Sequence, residues 1–169
     1  KLVTTAFPMI QNIESTNACG MRCIMCPRNY MKRKVGFMDL ELFEKIVKQL
    51  KANSRLCLHH FGDPLLHPKM GEMFKICGKY GIKSSISTNP QTLTERNVNA
   101  ILDGGLDILH LSFDGATKKT FEEVRAGVAN FEKSIEGIER LLKEKKRRGL
   151  QKPYIKIAII KMKNTEKEI

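Results

Sequence analysis

The sequence predicts an α/β fold, a partial parallel (β/α) barrel of about five visible units. Three observations carry this. Short apolar runs of strand length recur after amphipathic stretches with helical spacing. Such alternation winds into a parallel sheet with right-handed crossovers, either a barrel or an open doubly wound sheet. No G-x-G-x-x-G turn follows the first strand, which counts against the dinucleotide-binding version.

The elements follow in order. Met9–Glu14 reads as a short strand entering a polar loop. Asp39 caps a helix with Phe43, Ile46, Val47 and Leu50 on one face. Leu56–Phe61 is the next strand. Met70, Phe74 and Cys77 mark a second helix that stops near Gly81. Ile82–Ser87 is a third strand. Thr94 caps a helix carrying Val98, Ile101 and Leu102 and ending at Gly104 and Gly105. Asp107–Phe113 is the fourth strand and Lys118–Val124 a short helix. A long amphipathic helix then presents Phe131, Ile135, Ile138, Leu141 and Leu142. Its end, Lys143–Arg148, is basic, which suits the negative end of a helix dipole, and Lys145–Arg148 reads as solvated. Tyr154–Ile160 is the fifth strand, and the start of another helix follows. At 169 residues the chain fits one domain, and a strand left without cover predicts a longer natural chain.

Composition narrows the chemistry. No apolar run approaches the ~18 residues of a membrane span. The net charge of +12 favours anionic partners or reflects a solvated basic surface. No aromatic-plus-basic nucleic-acid module is visible, which argues against nucleic acid. Five cysteines, three of them between Cys19 and Cys26, do not suit a disulfide framework. Unpaired clustering points to a metal or cluster site in a reducing compartment such as the cytoplasm.

Cys19, Cys23 and Cys26 have C-x3-C-x2-C spacing. Three thiolates on one loop can each ligate a different iron of a [4Fe–4S] cubane, and the remaining iron is then open. Zinc is the competing occupant. Structural zinc prefers two spaced pairs, and His59, His60, His67 and His110 lack the local spacing of a finger.

The stretch Cys19–Pro27 resembles the signature of the radical S-adenosylmethionine (SAM) superfamily. Met25 departs from the aromatic residue usual before the third cysteine. Cys-Ile-Met-Cys-Pro-Arg at 23–28 is similar to the SPASM and anaerobic sulfatase-maturase-like branch, whose members carry a further C-terminal cluster domain. The resemblance covers essentially the whole chain. It implies a [4Fe–4S] cluster and SAM as cofactors, with SAM held by its amino and carboxylate groups on the open iron. It also implies reductive cleavage to a 5′-deoxyadenosyl radical, and a reductant such as flavodoxin or ferredoxin.

Four further segments carry it. Phe61-Gly62-Asp63-Pro64 resembles a Gly-Gly-Glu-Pro turn that meets the SAM amino group. Thr88-Asn89 and Ser112-Phe113-Asp114 stand at strand ends, where hydroxyl and carboxylate groups can hold a ribose; helix capping is the competing role for Asp114. Arg125, in Arg-x-Gly-x-x-x-Phe, resembles an arginine that grips the SAM carboxylate. Met162 is expected at the adenine. Cys57 and Cys77 read as small core residues. The substrate is expected to be a peptide or protein side chain, or else a small molecule such as a sugar or aminoglycoside. A non-catalytic iron–sulfur or zinc module is the reading from another class.

Overall fold

The structure, a computed structural model, describes residues 10–168. Four strands, β1 (Arg55–Cys57), β2 (Lys83–Thr88), β3 (Ile108–Ser112) and β4 (Tyr154–Ala158), form one sheet in the order β1-β2-β3-β4. Every pairing is parallel. Five α-helices connect or precede them: α1 (Leu40–Val47), α2 (Met70–Lys79), α3 (Glu95–Gly104), α4 (Lys118–Val124) and α5 (Phe131–Arg147). None is long and apolar enough to cross a membrane.

The predicted α/β architecture is present, with the first, second and fifth expected strands shortened, the fifth ending at Ala158. Of the stretch expected as the first strand, Met9 lies outside the described residues. The rest pairs through a single parallel bridge, Asn12 to Cys57, held by Ile13 N donating to Cys57 O at 2.9 Å and Cys57 N to Gln11 O at 2.8 Å. Polar side chains at Gln11, Asn12 and Glu14 leave it little apolar surface with which to extend the ladder. The second expected strand is likewise shortened at its C-terminal end, where the chain bends through His59-His60 toward the loop that follows.

Alternation along the strands creates two unlike faces. Leu56, Ile86, Leu109 and Leu111 point to one face and are fully buried against Phe43, Val47, Met73, Phe74, Ile101 and Leu141 of the helices. Each such side chain contributes roughly 1.5–3 kcal/mol by leaving water. The other face carries Cys57, Ser85, Ser87, His110, Ser112 and Lys156, none fully buried. In a parallel sheet, the chain leaving every strand emerges on the same edge.

Helix starts follow the sequence. Asp39 accepts from Leu42 N, and Thr94 accepts from Asn97 N. Gly105 ends α3 in the left-handed region at φ +73°, where a side chain would be strained. The end of α5 differs from the expected solvated run. Arg148 donates to Glu144 and, at 2.6 Å, to Asp103 of α3, so the last arginine joins two helices.

Candidate cofactor site

Five chain segments leave the carboxyl edge of the sheet and surround one cavity of about 370 Å³. The cysteine loop follows the Asn12 bridge. Gly62-Asp63 follows β1, Asn89 follows β2, Asp114 follows β3 and Ile160 follows β4. Cys19, Cys23 and Cys26 are free thiols on its wall. Among the described residues, no three His, Cys, Asp or Glu side chains converge on a single metal-ion position. A cubane, in contrast, spreads three thiolates over three irons.

The loop is held from beneath and from the side. Phe113, Phe121 and Phe131 pack with ring centroids 4.8–5.6 Å apart, and Met21 and Cys23 rest on them. Ile24 N donates to Val124 O at 3.0 Å, and Asp63 N to Ala18 O at 2.7 Å. Gly62 makes the last contact possible. A Cβ there would lie 2.0 Å from Thr16 O, so only glycine lets the turn approach the strand leading into the cysteines. Burial pushes the Cys19 and Cys23 thiols up, while the Arg125 guanidinium works against this at Cys23. Loading a cluster therefore releases protons.

Arg125 is not on the surface. It is 5% exposed and lines the cavity. Nη2 donates to Ser112 O at 2.7 Å and to Asp114 Oδ2 at 2.8 Å, and Nη1 lies 3.5 Å from Cys23 Sγ. Its guanidinium sits 5.6 Å from the Phe121 ring. Asp114 has a role that sequence reasoning missed. Its carboxylate pairs with Arg125 and accepts from Ile160 N at 2.8 Å, joining two strand ends and the end of α4. The helix cap considered for Asp114 is supplied instead by Thr117.

Asp63 and Thr88 are also engaged internally. Asp63 accepts from Thr88 Oγ1 at 2.7 Å, Leu65 N at 3.1 Å and Asn89 N at 3.3 Å. Burial pushes its carboxyl up, and these hydrogen bonds pull partly back. The Asp63 side chain is thus taken up within the protein, which leaves the backbone carbonyls of the turn as the acceptors expected there. Ser112 keeps a hydroxyl at the cavity, 2.9 Å from Ser87 Oγ, and Ser87 is a lining residue that the sequence reading did not select. Strand periodicity could have found it, since Ser85 and Ser87 share a face. Pro64 is buried at the start of a 3-10 turn, away from the cavity wall. Met162 also stands outside the wall, its amide donating to Thr165 Oγ1 at 2.8 Å, and Ile160 takes the lining position.

Among the described residues, two polar side-chain atoms are buried without a hydrogen-bond partner, Asn89 Nδ2 and Arg125 Nε. An unmet buried donor costs about 1–3 kcal/mol, and here both sit in residues that border the cavity.

The Radical SAM superfamily model matches residues 13–169. The chain belongs to the radical SAM superfamily. Its cofactors are those of the family, a [4Fe–4S] cluster and SAM. The residues present fit both groups: three free thiols on one wall, the Arg125 side chain with the Ser87 and Ser112 hydroxyls on another, and a turn that no Cβ could enter.

This radical SAM chain is 29% identical over 164 residues to a tungsten-containing aldehyde ferredoxin oxidoreductase cofactor-modifying protein of Pyrococcus furiosus. The match covers 93% of this chain and 45% of that protein, so the chain spans less than half the relative's length. It is 25% identical over 119 residues to a PqqA peptide cyclase of Gluconobacter oxydans, covering 69% of this chain and 33% of the cyclase. Among solved structures, Streptococcus suis SuiB bound to precursor peptide SuiA superposes with a TM-score of 0.70 at 19% identity, covering 94% of this chain and 34% of SuiB. That likeness shows the fold.

His59 gives the site a pH signature. Its Nδ1 accepts from Ser87 N at 2.9 Å and lies 3.0 Å from Cys57 Sγ. Burial, with His110 and His60 adding smaller contributions, pushes it down to about 4. The imidazole is therefore neutral with its proton on Nε2. A base with a depressed folded value binds more protons when unfolded, so stability rises with pH across the window from about 4 to the ordinary 6.5. The expected ¹⁵N shifts of His59 are flat between pH 8 and 5, with His59→Asn flattening the pH dependence of Tm. Titration of His59 near pH 6.5 would contradict this placement.

Proposed function

We propose that the protein cleaves SAM reductively and uses the resulting radical to take a hydrogen atom from a peptide or protein side chain. The carrying observation is the convergence of five strand-end segments on one cavity lined by three free thiols, the Arg125 side chain and the Ser87–Ser112 hydroxyl pair. The bound cluster and SAM supply one-electron cleavage to a 5′-deoxyadenosyl radical. The protein positions them. Cys19, Cys23 and Cys26 hold three irons and leave one open. The backbone of Phe61-Gly62-Asp63 accepts from the SAM ammonium. Arg125 brings its charge and the remaining Nη1 donor toward the carboxylate, held in place by Asp114 and the Ser112 carbonyl. Ser112, Ser87 and the Asn89 amide face the ribose hydroxyls. Ile160, in place of Met162, meets the adenine.

The peptide reading is supported by the likeness to PqqA peptide cyclase and by the Cys-Ile-Met-Cys-Pro-Arg segment. The Pyrococcus relative, described as cofactor-modifying, favours a small molecule as the second reading. Anaerobic incubation of the full-length protein with dithionite, SAM and candidate peptides or sugars, followed by chromatography, separates them. The expected result is 5′-deoxyadenosine, increased by the true substrate class, with peptides ahead of sugars. An intact, reducible cluster that yields no 5′-deoxyadenosine would favour an electron-transfer module.

A further inference from the structure

Glu168 lies on the segment that leaves β4, and its carboxylate accepts hydrogen bonds from the start of α4. Ala116 N donates at 2.6 Å, Thr117 N at 3.3 Å, Thr117 Oγ1 at 3.0 Å and Thr120 Oγ1 at 2.6 Å. Thr117 is the cap of that helix, and Thr120 belongs to its first turn. These hydrogen bonds, that of Thr120 first, hold the carboxyl below its usual range, so it is ionised at neutral pH. No local pattern announces the contact, since Glu168 and Thr120 are 48 residues apart.

The other end of α4 carries the cofactor site. Val124 O accepts from Ile24 N at 3.0 Å, between the second and third cysteines. Phe121 is fully buried beneath Met21 and Cys23, and Arg125 follows Val124 directly. With seven residues α4 is about two turns long, so a shift of its first turn reaches its last. Among the described residues, the ion pair on that first turn is the exposed Lys118–Glu132, and such surface pairs hold little. The segment that brings Glu168 is itself anchored. Thr165 is fully buried, its hydroxyl donates to Ile160 O at 2.6 Å, and its carbonyl accepts from Glu168 N at 2.9 Å. Ile160 N in turn donates to Asp114. The contacts close a ring that runs from Asp114 through Ile160, Thr165, Glu168 and α4 to Arg125, and back to Asp114.

We infer that Glu168 is a positioning residue for SAM, fixing through α4 the place from which Arg125 reaches the cavity. It touches no cofactor itself. The inference rests on the reading above that Arg125 meets the SAM carboxylate. Asp114 and the Ser112 carbonyl set the direction of the guanidinium, and α4 sets where its backbone begins. Without the Glu168 carboxylate, water satisfies the same donors but fixes none of their positions. A binding group must be held to about 0.5 Å, so a small drift of α4 costs SAM affinity while the fold survives.

The test uses full-length, cluster-loaded protein and calorimetric titration of SAM. Glu168→Ala is expected to weaken SAM binding roughly three- to tenfold. Iron and sulfide content, and the reduced cluster signal without SAM, should stay unchanged. Glu168→Asp keeps the charge and should recover part of the loss. Thr120→Val removes a donor instead of the acceptor and should weaken binding in the same direction. The deciding arm is the double variant. In an Arg125→Ala background, Glu168→Ala should cost nothing further, because the group it positions is gone. Arg125→Ala alone tests the underlying reading, and unchanged SAM affinity there would remove that reading and the inference together. Weakened binding in Arg125→Ala with native affinity in Glu168→Ala would overturn the inference alone. So would an equal loss from Glu168→Ala in both backgrounds, or loss of the cluster in Glu168→Ala and Thr120→Val alike, which would make Glu168 a general support of the fold.

Discussion

Replacing Cys19, Cys23 or Cys26 singly with Ala is expected to abolish the [4Fe–4S] signal of the reconstituted, reduced protein. Each thiol lies on the same cavity wall, and each serves a different iron in the proposed arrangement. Removing one leaves two irons open and exposes the cubane to water. No neighbouring thiol is placed to substitute. Cys77 is fully buried in α2 with its thiol pushed up to about 12 by burial, and Cys57 lies on the sheet beside His59. Cys57→Ala should keep the full signal. Cys77→Ala should keep it too while losing stability, because deleting a buried side-chain atom leaves a cavity. Iron and sulfide analysis with electron paramagnetic resonance checks all five variants. A full cluster in Cys19→Ala would overturn the ligand assignment.

Arg125→Ala is expected to fail in two measurable ways. The side chains of Arg125 and Asp114 are 6% and 3% exposed, and removing one partner of a buried pair costs about 3–5 kcal/mol by stranding the other charge. Urea unfolding of the apo protein measures that loss. The second effect is on SAM. A charge-assisted hydrogen bond is worth ~1.5–3 kcal/mol, so affinity should fall roughly ten- to a hundredfold at ~1.4 kcal/mol per decade. Arg125→Lys keeps the charge without the fork and should fall between. Asp114→Asn can still accept from Ile160 N, so it should lose less stability than Arg125→Ala while still weakening SAM binding through a misoriented guanidinium. Calorimetric titration of SAM resolves this series. Unchanged SAM affinity across it would leave Arg125 a purely structural partner of Asp114.

The parallel α/β order was legible because it rests on periodicity. Leu56, Ile86, Leu109 and Leu111 alternate with polar neighbours, and Asp39 and Thr94 cap where local chemistry says they should. The cysteine loop was legible because its spacing is local. The polar wiring between strand ends was not. Asp114 meets Arg125 across the whole of α4, and Asp63 meets Thr88 across 25 residues, so neither pairing leaves a local pattern. Asp63 and Thr88 were selected as ligand contacts, yet their side chains bond each other. Strand periodicity puts Ser87 on the polar face with Ser85, but its pairing with Ser112 needs the strand register, which the sequence does not carry. Met162 was placed one turn too far, since the chain lines the cavity at Ile160 before closing on Thr165. The antiparallel return of 28–37 depends on Asn17 and Thr16 side chains bonding to backbone, a contact that composition does not reveal.

The most direct measurement of the central claim is the electron paramagnetic resonance spectrum of the reduced, cluster-loaded protein with and without SAM. The claim is that three cysteines leave one iron facing the cavity that Arg125, Gly62 and Ser112 line. SAM binding there must change the electronic environment of that iron. The account predicts a shifted signal with SAM in native protein, and a shift requiring higher SAM concentrations in Arg125→Ala. A [4Fe–4S] signal that is identical with and without saturating SAM would contradict it.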